Sequence, residues 1–91
     1  MSRKVTIAAV LQEYTNIPDI IEVSGNTVGE CLADLIRQYP EAGNWLLDQN
    51  SLLPVLVSIN NQDTVALNQE GLDRALNTDD ELQIFAVIDG G

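Results

Sequence analysis

Alternating apolar and polar residues open the chain. Residues 4–11 place three apolar side chains on one side of an extended segment, namely Val5, Ile7 and Ala9. Residues 19–23 repeat this alternation after a polar, proline-containing connection. Because successive side chains of a strand point to opposite faces, the pattern predicts two half-buried strands that form a hairpin.

The next apolar pattern has the period of an α-helix. Thr27 and Glu30 have the spacing of a capping box, in which both side chains accept backbone N–H groups left open at a helix start. Five apolar residues then recur at three- and four-residue spacing: Val28, Leu32, Leu35, Ile36 and Tyr39. With charged residues opposite this stripe and Pro40 at its end, we predict one amphipathic helix that covers one face of a sheet.

The middle of the chain predicts another strand and a turn. Residues 45–47 are expected to form a short turn of helix whose apolar side closes the bottom of the core. Residues 55–59 are a β-branched run that ends at Asn60-Asn61, a pair typical of a turn. Residues 64–67 are then expected to return as a short strand.

The last third predicts one more strand after two turns. We expect a helical turn over residues 72–76, a polar turn over residues 77–80 and a final strand over residues 81–87. The whole order predicts an α+β fold of two layers, in which one main helix packs on one face of a mixed four- to five-stranded sheet. That order is compatible with a ubiquitin-like β-grasp.

Composition narrows the classes of function. The chain has 91 residues, 45% apolar and 20% charged, which is the balance of one small folded domain. Its net charge of −10 argues against nucleic acid and membrane partners, because both carry negative surfaces. The charge would favour encounter with a basic protein surface, although solubility explains it equally well.

The titratable residues offer little chemistry of their own. A single cysteine, Cys31, excludes an internal disulfide framework, and without histidine the usual zinc and copper ligand sets cannot form. Cys31 lies on the helix stripe and is expected to be a buried, inert thiol. Asp79-Asp80-Glu81 is expected to be a solvated turn, and the glycines form no nucleotide-binding loop. We therefore predict a cytoplasmic protein that binds no metal and no cofactor.

The C-terminal diglycine is the strongest candidate for function. Gly90 and Gly91 follow an apolar stretch, and two glycines form a slender tether that can enter a channel too narrow for side chains. We therefore predict a folded domain over residues 1–88 and a flexible tail over residues 89–91. The alternative is a frayed terminus without a role.

Three stretches resemble known proteins: Val57-Ser58-Ile59-Asn60, Thr78-Asp79-Asp80-Glu81-Leu82, and Phe85-Ala86-Val87-Ile88-Asp89-Gly90-Gly91. In this order they resemble the ubiquitin-like sulfur carrier protein family of the MoaD and ThiS type. That family includes the small subunit of molybdopterin synthase and the carriers of the thiamine and cysteine pathways. Asp79 replaces the usual turn glycine, and Ala86-Val87 replaces a Pro-Pro common in the molybdopterin subunit. Residues 60–63 and 71–76 look nearer to the cysteine-pathway carrier, and the pathway stays open.

The resemblance implies a mechanism at Gly91. An ATP-dependent activating enzyme, an adenylyltransferase, would adenylate the terminal carboxylate, and sulfur would then displace the adenylate to leave a thiocarboxylate. A sulfur-accepting synthase would use that sulfur. The chain would thus be a protein cosubstrate or the small subunit of a sulfur-transferring synthase, and not an enzyme. ATP would be bound by the partner alone, and the tail residues Ile88, Asp89 and Gly90 would carry Gly91 to it.

The last strand also predicts a docking surface. Its alternation places Leu82, Ile84 and Ala86 on one face and leaves Phe85 and Val87 on the other, where a partner could cover them. The alternative for Phe85 is a second small core under the segment around Trp45. Two other functions remain open: a ubiquitin-like modifier that forms isopeptide bonds through Gly91, and a non-catalytic interaction domain.

Overall fold

The computed structural model describes residues 2–13, 16–46 and 55–86, and of Trp45 only the backbone. Five strands lie in this part of the chain: β1 (Ser2–Ile7), β2 (Ile20–Ser24), β3 (Val55–Ile59), β4 (Asp63–Val65) and β5 (Leu82–Ala86). Four α-helical segments accompany them: α1 (Ala9–Gln12), α2 (Val28–Gln38), α3 (Gly43–Leu46) and α4 (Gln69–Leu72). A 3₁₀ turn, Pro40–Ala42, joins α2 to α3.

The strands form one mixed sheet in the order β2-β1-β5-β3-β4. β1 and β5 run parallel at its centre, with Val5 beside Leu82 and Ile7 beside Ile84. The remaining neighbours are antiparallel. A parallel pair needs a long connection between its strands, and here that connection includes α2. The predicted α+β fold with a β-grasp sheet is confirmed.

The core lies between α2 and one face of the sheet. Strict alternation buries every second residue of β1 and β2, and α2 contributes an apolar stripe. The fully buried large side chains are Val5, Leu11, Val23, Val28, Leu32, Leu35, Val57, Leu82 and Ile84. The opposite face of the sheet carries exposed side chains such as Lys4, Glu22 and Thr64. We call this second surface the outer face.

The first predicted strand is too long. β1 ends at Ile7, and Ala9–Gln12 form a turn of helix instead of continuing the strand. Leu11 is fully buried there, whereas Ala9, which was expected to face the core, is exposed. The Leu11 N–H bonds to the Ala8 carbonyl (3.0 Å), so the chain folds back and brings Leu11 over the core.

The predicted start of α2 is confirmed, with one difference. The Glu30 N–H donates to the Thr27 hydroxyl oxygen (3.1 Å), as expected of a capping box. The Glu30 carboxylate, however, accepts from the N–H of Asn26 (2.7 Å), one residue before the cap. The amphipathic helix ends at Gln38, and Pro40 begins the 3₁₀ turn, as the sequence indicated.

The turn after β3 is confirmed. Asn60 and Asn61 both adopt left-handed backbone angles, with φ of 54° and 58°. Asparagine tolerates this region better than most residues, which is why the pair can close a tight turn. The chain then returns as β4, which is shorter than the expected strand over residues 64–67.

The helical turn expected over residues 72–76 is wrong. The turn lies at Gln69–Leu72, because the Asn68 side chain accepts from the Gly71 N–H (2.9 Å) and caps it. Beyond Leu72 the chain instead docks on the start of α2, with hydrogen bonds between Val28 N–H and Arg74 O (3.0 Å) and between Leu76 N–H and Asn26 O (2.8 Å).

The short helix expected over residues 45–47 appears as α3. Its Leu46 is buried in the core, which agrees with the expectation that this segment closes it. The Trp45 side chain and Leu47 lie outside the described part. The polar turn over residues 77–80 is confirmed by a hydrogen bond from Asp80 N–H to Asn77 O (3.1 Å), and β5 follows it.

Candidate functional site

The tail begins at the end of a central strand. β5 lies between β1 and β3, and its last residue, Ala86, pairs with Val55 at the start of β3. Ordered pairing therefore reaches the residue just before Val87. The predicted tail and docking residues Val87, Ile88, Asp89, Gly90 and Gly91 lie outside the described residues, so their roles stay predictions.

Phe85 and Leu56 form an apolar pair on the outer face. They are direct register partners on β5 and β3, so their side chains emerge side by side. Both are partly exposed, and neither belongs to the partly buried side chains that pack against the core. Leu82 and Ile84 are buried on the opposite side, as the alternation predicted. We call Phe85 and Leu56 the outer-face pair.

A polar network borders the outer-face pair on the side away from the tail. The Ser58 hydroxyl and the Asn61 N–H both donate to Gln83 Oε1, each at 2.7 Å. Ser58 is only 6% exposed, and this bond satisfies its hydroxyl. The apolar area therefore lies toward the end of the sheet where the tail begins.

The placement of Phe85 agrees with the predicted docking role without testing it. The alternative, contact with the Trp45 segment, involves a side chain outside the described part. Sequence reasoning missed Leu56, although the signal was available. Alternation within residues 55–59 separates Leu56 and Ser58 from Val55, Val57 and Ile59.

Asn60 joins two of the three stretches that resemble the sulfur carrier family. Its side-chain amide donates to Asp80 Oδ1 (2.8 Å), and its Oδ1 accepts the N–H of Glu81 (2.9 Å). Its backbone N–H also bonds to the Glu81 carbonyl (2.9 Å). Asn60 thus fixes the start of β5 to the end of β3. Asp79, which occupies the position of a turn glycine, has no left-handed φ, so this turn needs no glycine.

Arg3 clamps the same region from the core side. The side chain is 8% exposed, and its guanidinium donates to three carbonyls: Asn77 (2.8 Å), Asp80 (2.7 Å) and Gly25 (2.9 and 3.2 Å). A buried charge is costly unless its donors are satisfied, and the planar fork of arginine suits several acceptors at once. This role was missed from the sequence, although Arg3 alternates in step with Val5 and Ile7 and so falls on the core side of β1.

Cys31 is fully buried, as the sequence predicted. Burial raises the pKa of its thiol, and the nearby Arg3 guanidinium offsets only part of that effect. The thiolate, which is the reactive form, is therefore disfavoured at neutral pH. This environment agrees with a structural thiol.

The acidic turn uses one of its carboxylates, that of Asp80, within the fold. Hydrogen bonds from the Asn77 N–H and the Asn60 amide lower the pKa of Asp80. A depression of about 340 Å³ beside this turn is lined by charges of both signs, including Lys4, Glu22 and Glu81. It lies at the start of β5, at the opposite end of this strand from Phe85 and Ala86, so it is separate from the candidate site.

Within the described residues, no group of three cysteine or carboxylate side chains could hold a metal ion. In the same ranges, no helix is long and apolar enough to cross a membrane.

Comparisons with known proteins agree with this geometry. The model of the ThiS family matches residues 5–91. The fold resembles SAMP1 from Haloferax volcanii (24% identity, all of both chains, TM-score 0.75). It also resembles CysO from Mycobacterium tuberculosis, at 25% identity over 93% of this chain and 98% of that one, with a TM-score of 0.73.

Two further solved structures share the fold. A chain of the BexX/CysO complex of Amycolatopsis orientalis is 23% identical, over 97% of this chain and 98% of that one, with a TM-score of 0.74. The small archaeal modifier protein 1 of Methanosarcina acetivorans is 26% identical, over 99% and 96%, with a TM-score of 0.69. A search of curated proteins gave no match. The family match covers nearly the whole chain, and the protein belongs to the ThiS family of ubiquitin-like sulfur carrier and modifier proteins.

Proposed function

We propose that this protein carries sulfur as a thiocarboxylate on Gly91 and donates it in cofactor or cysteine biosynthesis. The observation that carries this proposal is the family match, which runs through the diglycine to residue 91. The placement of β5 supports it, because the strand that immediately precedes the tail in the sequence is the central strand of the sheet. The protein acts as a cosubstrate in the cytoplasm and binds no cofactor itself.

The chemistry requires activation by a partner. A C-terminal carboxylate has a pKa of about 3.3–3.7 and is a stable anion at neutral pH, so a sulfur nucleophile cannot displace its oxygen. In the activating enzyme, the Gly91 carboxylate attacks the α-phosphorus of ATP and pyrophosphate leaves. A sulfur nucleophile at the oxidation level of sulfide then attacks the acyl carbon, AMP leaves, and a thiocarboxylate remains.

The outer-face pair gives the activating enzyme a surface to hold. Aromatic side chains at the centre of an interface often contribute most of its affinity, and Phe85 lies on β5, two residues before Val87 in the sequence. A relative of the same fold, CysO of Amycolatopsis orientalis, is seen in a complex with BexX. We infer that docking through Phe85 and Leu56 positions the tail in the active site of the partner.

A second candidate function is protein modification. It is favoured by the similarity to a small archaeal modifier protein, at 26% identity over nearly the whole chain. The same adenylate would then be attacked by a lysine amine of a target protein. Lys4, the only lysine of this chain, is exposed on β1 and would be its single side-chain site for self-attachment.

Isotope exchange between pyrophosphate and ATP, catalysed by the activating enzyme of the same organism, tests the adenylation of Gly91, the step that both candidate functions share. We expect Gly91→Ala to slow exchange at least about tenfold, because a methyl group crowds a channel shaped for glycine. Gly43→Ala is the matched control, since the added Cβ meets only ordinary contact at 3.6 Å. Equal exchange by the wild type and Gly91→Ala would contradict the role of Gly91.

A further inference from the structure

Side chains of α2 form hydrogen bonds to two of the backbone groups that point away from the sheet on β2. β2 is an edge strand. The backbone groups of its residues 21 and 23, like those of Asp19 just before it, point toward β1, as the bond from Ile7 N–H to Asp19 O (2.7 Å) shows. The backbone groups of Ile20, Glu22 and Ser24 therefore point away from the sheet. Asp34 Oδ2 accepts the Ser24 N–H (3.0 Å), and the Gln38 amide donates to the Glu22 carbonyl (2.9 Å).

These two side chains are held in place by α2 itself. The Gln38 amide also donates to Asp34 Oδ2 (3.1 Å), and the Arg37 guanidinium donates to Asp34 Oδ1 (2.9 Å from Nε). One acceptor and one donor of adjacent edge-facing residues are thus occupied by a prearranged network. These are the groups with which an added strand would begin to pair.

β2 is the edge that needs such protection. It has five residues, of which Ile20, Ile21 and Val23 are apolar and β-branched and the central one is Glu22, and Ile20 is 48% exposed. Among the described residues, Ile20 is the one large apolar side chain that is this exposed. The opposite edge, β4, has only three residues, and Asp63 at its start is paired with Arg74. Very short edge strands resist strand addition, whereas a longer edge with an exposed apolar side chain invites it.

We propose that Asp34 and Gln38 keep this protein monomeric by blocking antiparallel pairing of β2 with β2 of a second copy. A second copy is the natural occupant, because two identical antiparallel edges can pair about a twofold axis and close the assembly. The proposal is independent of sulfur carriage. It concerns the edge of the sheet, whereas the tail leaves from the central strand.

The double variant Asp34→Ala/Gln38→Ala tests the proposal. Its control is Gln69→Ala/Asp73→Ala, which removes the same residue types at the same spacing and also breaks a side-chain bond (3.0 Å), but at α4 and the residue that follows it. Both variants lose one negative charge, so repulsion between copies is matched. Amide exchange at Ser24 and sedimentation equilibrium over a range of concentrations are the readouts.

We expect exchange at Ser24 to rise about tenfold in dilute Asp34→Ala/Gln38→Ala, the factor expected for one lost hydrogen bond. At high concentration this variant should dimerise, while the wild type and the control stay monomeric. Adding Ile20→Lys should restore the monomer, because an exposed lysine on an edge strand opposes pairing. A folded double variant that stays monomeric, or a control that dimerises equally, would overturn the proposal.

If the double variant loses its circular dichroism signal and is therefore unfolded, the single variant Gln38→Ala tests the proposal instead. Gln38→Ala keeps the hydrogen bonds of Asp34 to Ser24 and Arg37, so α2 stays bonded to β2. More association than the wild type would support the proposal, and wild-type behaviour would defeat it.

Discussion

Single polar residues join parts of this fold that are far apart in the sequence. Asn60 fixes the end of β3 to the start of β5, and Arg3 holds the turn before β5 against the loop at Gly25. Both act through hydrogen bonds to backbone groups, so they set where β5 begins. The strand that precedes the tail is thus placed at its start by two side chains.

Gly71 is required by space. A Cβ at this position would lie 1.8 Å from the Ala66 carbonyl oxygen, a backbone atom that cannot move alone. We expect Gly71→Ala to lower the free energy of unfolding by about 2 kcal/mol or more, within the range of overpacking substitutions. Gly43→Ala, which meets only ordinary contact, should be neutral or stabilising. Urea unfolding of both variants measures this, and equal stabilities would contradict the close approach.

The pH dependence of stability should reveal Asp34. Hydrogen bonds from Arg37 and from the Ser24 N–H lower its pKa in the folded state. The folded protein therefore binds this proton less readily than the unfolded chain, and the stabilisation is present above the ordinary aspartate pKa and lost as pH falls. We expect the stability difference between wild type and Asp34→Asn to shrink from pH 6 to pH 3, measured by urea unfolding. A constant difference would contradict the shift.

At the scale of elements, hydrophobic periodicity predicted the strands and the helix that bury one face. It did not predict element ends that depend on a single contact. The alternation of β2 and β5 and the stripe of α2 were predicted because burial on one face requires them. The end of β1 was not, since Leu11 continues the apolar run and only the fold-back at Ala8 shows that it enters the core from a helix. The position of α4 depends on the cap at Asn68, which the helical period could not reveal.

The candidate docking site was also predicted only in part from the sequence. The face of Phe85 followed from alternation, whereas its partner Leu56 needed the register between β3 and β5. The end of β3 is joined to the start of β5 by the side-chain hydrogen bonds of Asn60, and these leave no periodic trace in the sequence. The outer-face pair can therefore be identified only once the register between β3 and β5 is known.

The outer-face pair can be tested as a docking element. We expect Phe85→Ser to raise the KM of the activating enzyme for this protein at least about tenfold with little change in kcat, the signature of lost binding. The control is Thr64→Ser, a mild change at an exposed position of the same face on β4. Steady-state kinetics with varied carrier concentration measures both. An unchanged KM for Phe85→Ser would remove Phe85 from the interface.

At the scale of the whole molecule, the two ends of the sheet differ in character. The acidic turn before β5 and the Asp63–Arg74 pair lie at one end, and the outer-face pair and the strand end that leads to the tail lie toward the other. With a net charge of −10, the chain would be steered toward a basic partner surface. The domain would then deliver a tail to that partner without catalysing a reaction itself.

The intact mass of the protein recovered from its own cells tests this account most directly. Replacing one oxygen of the Gly91 carboxylate by sulfur adds about sixteen mass units. We expect a fraction of the protein to carry this increment, located by fragmentation to the C-terminal residue, and to lose it when Gly90 and Gly91 are deleted. An unshifted mass in every fraction, with Gly91 found instead in adducts to other proteins, would contradict sulfur carriage.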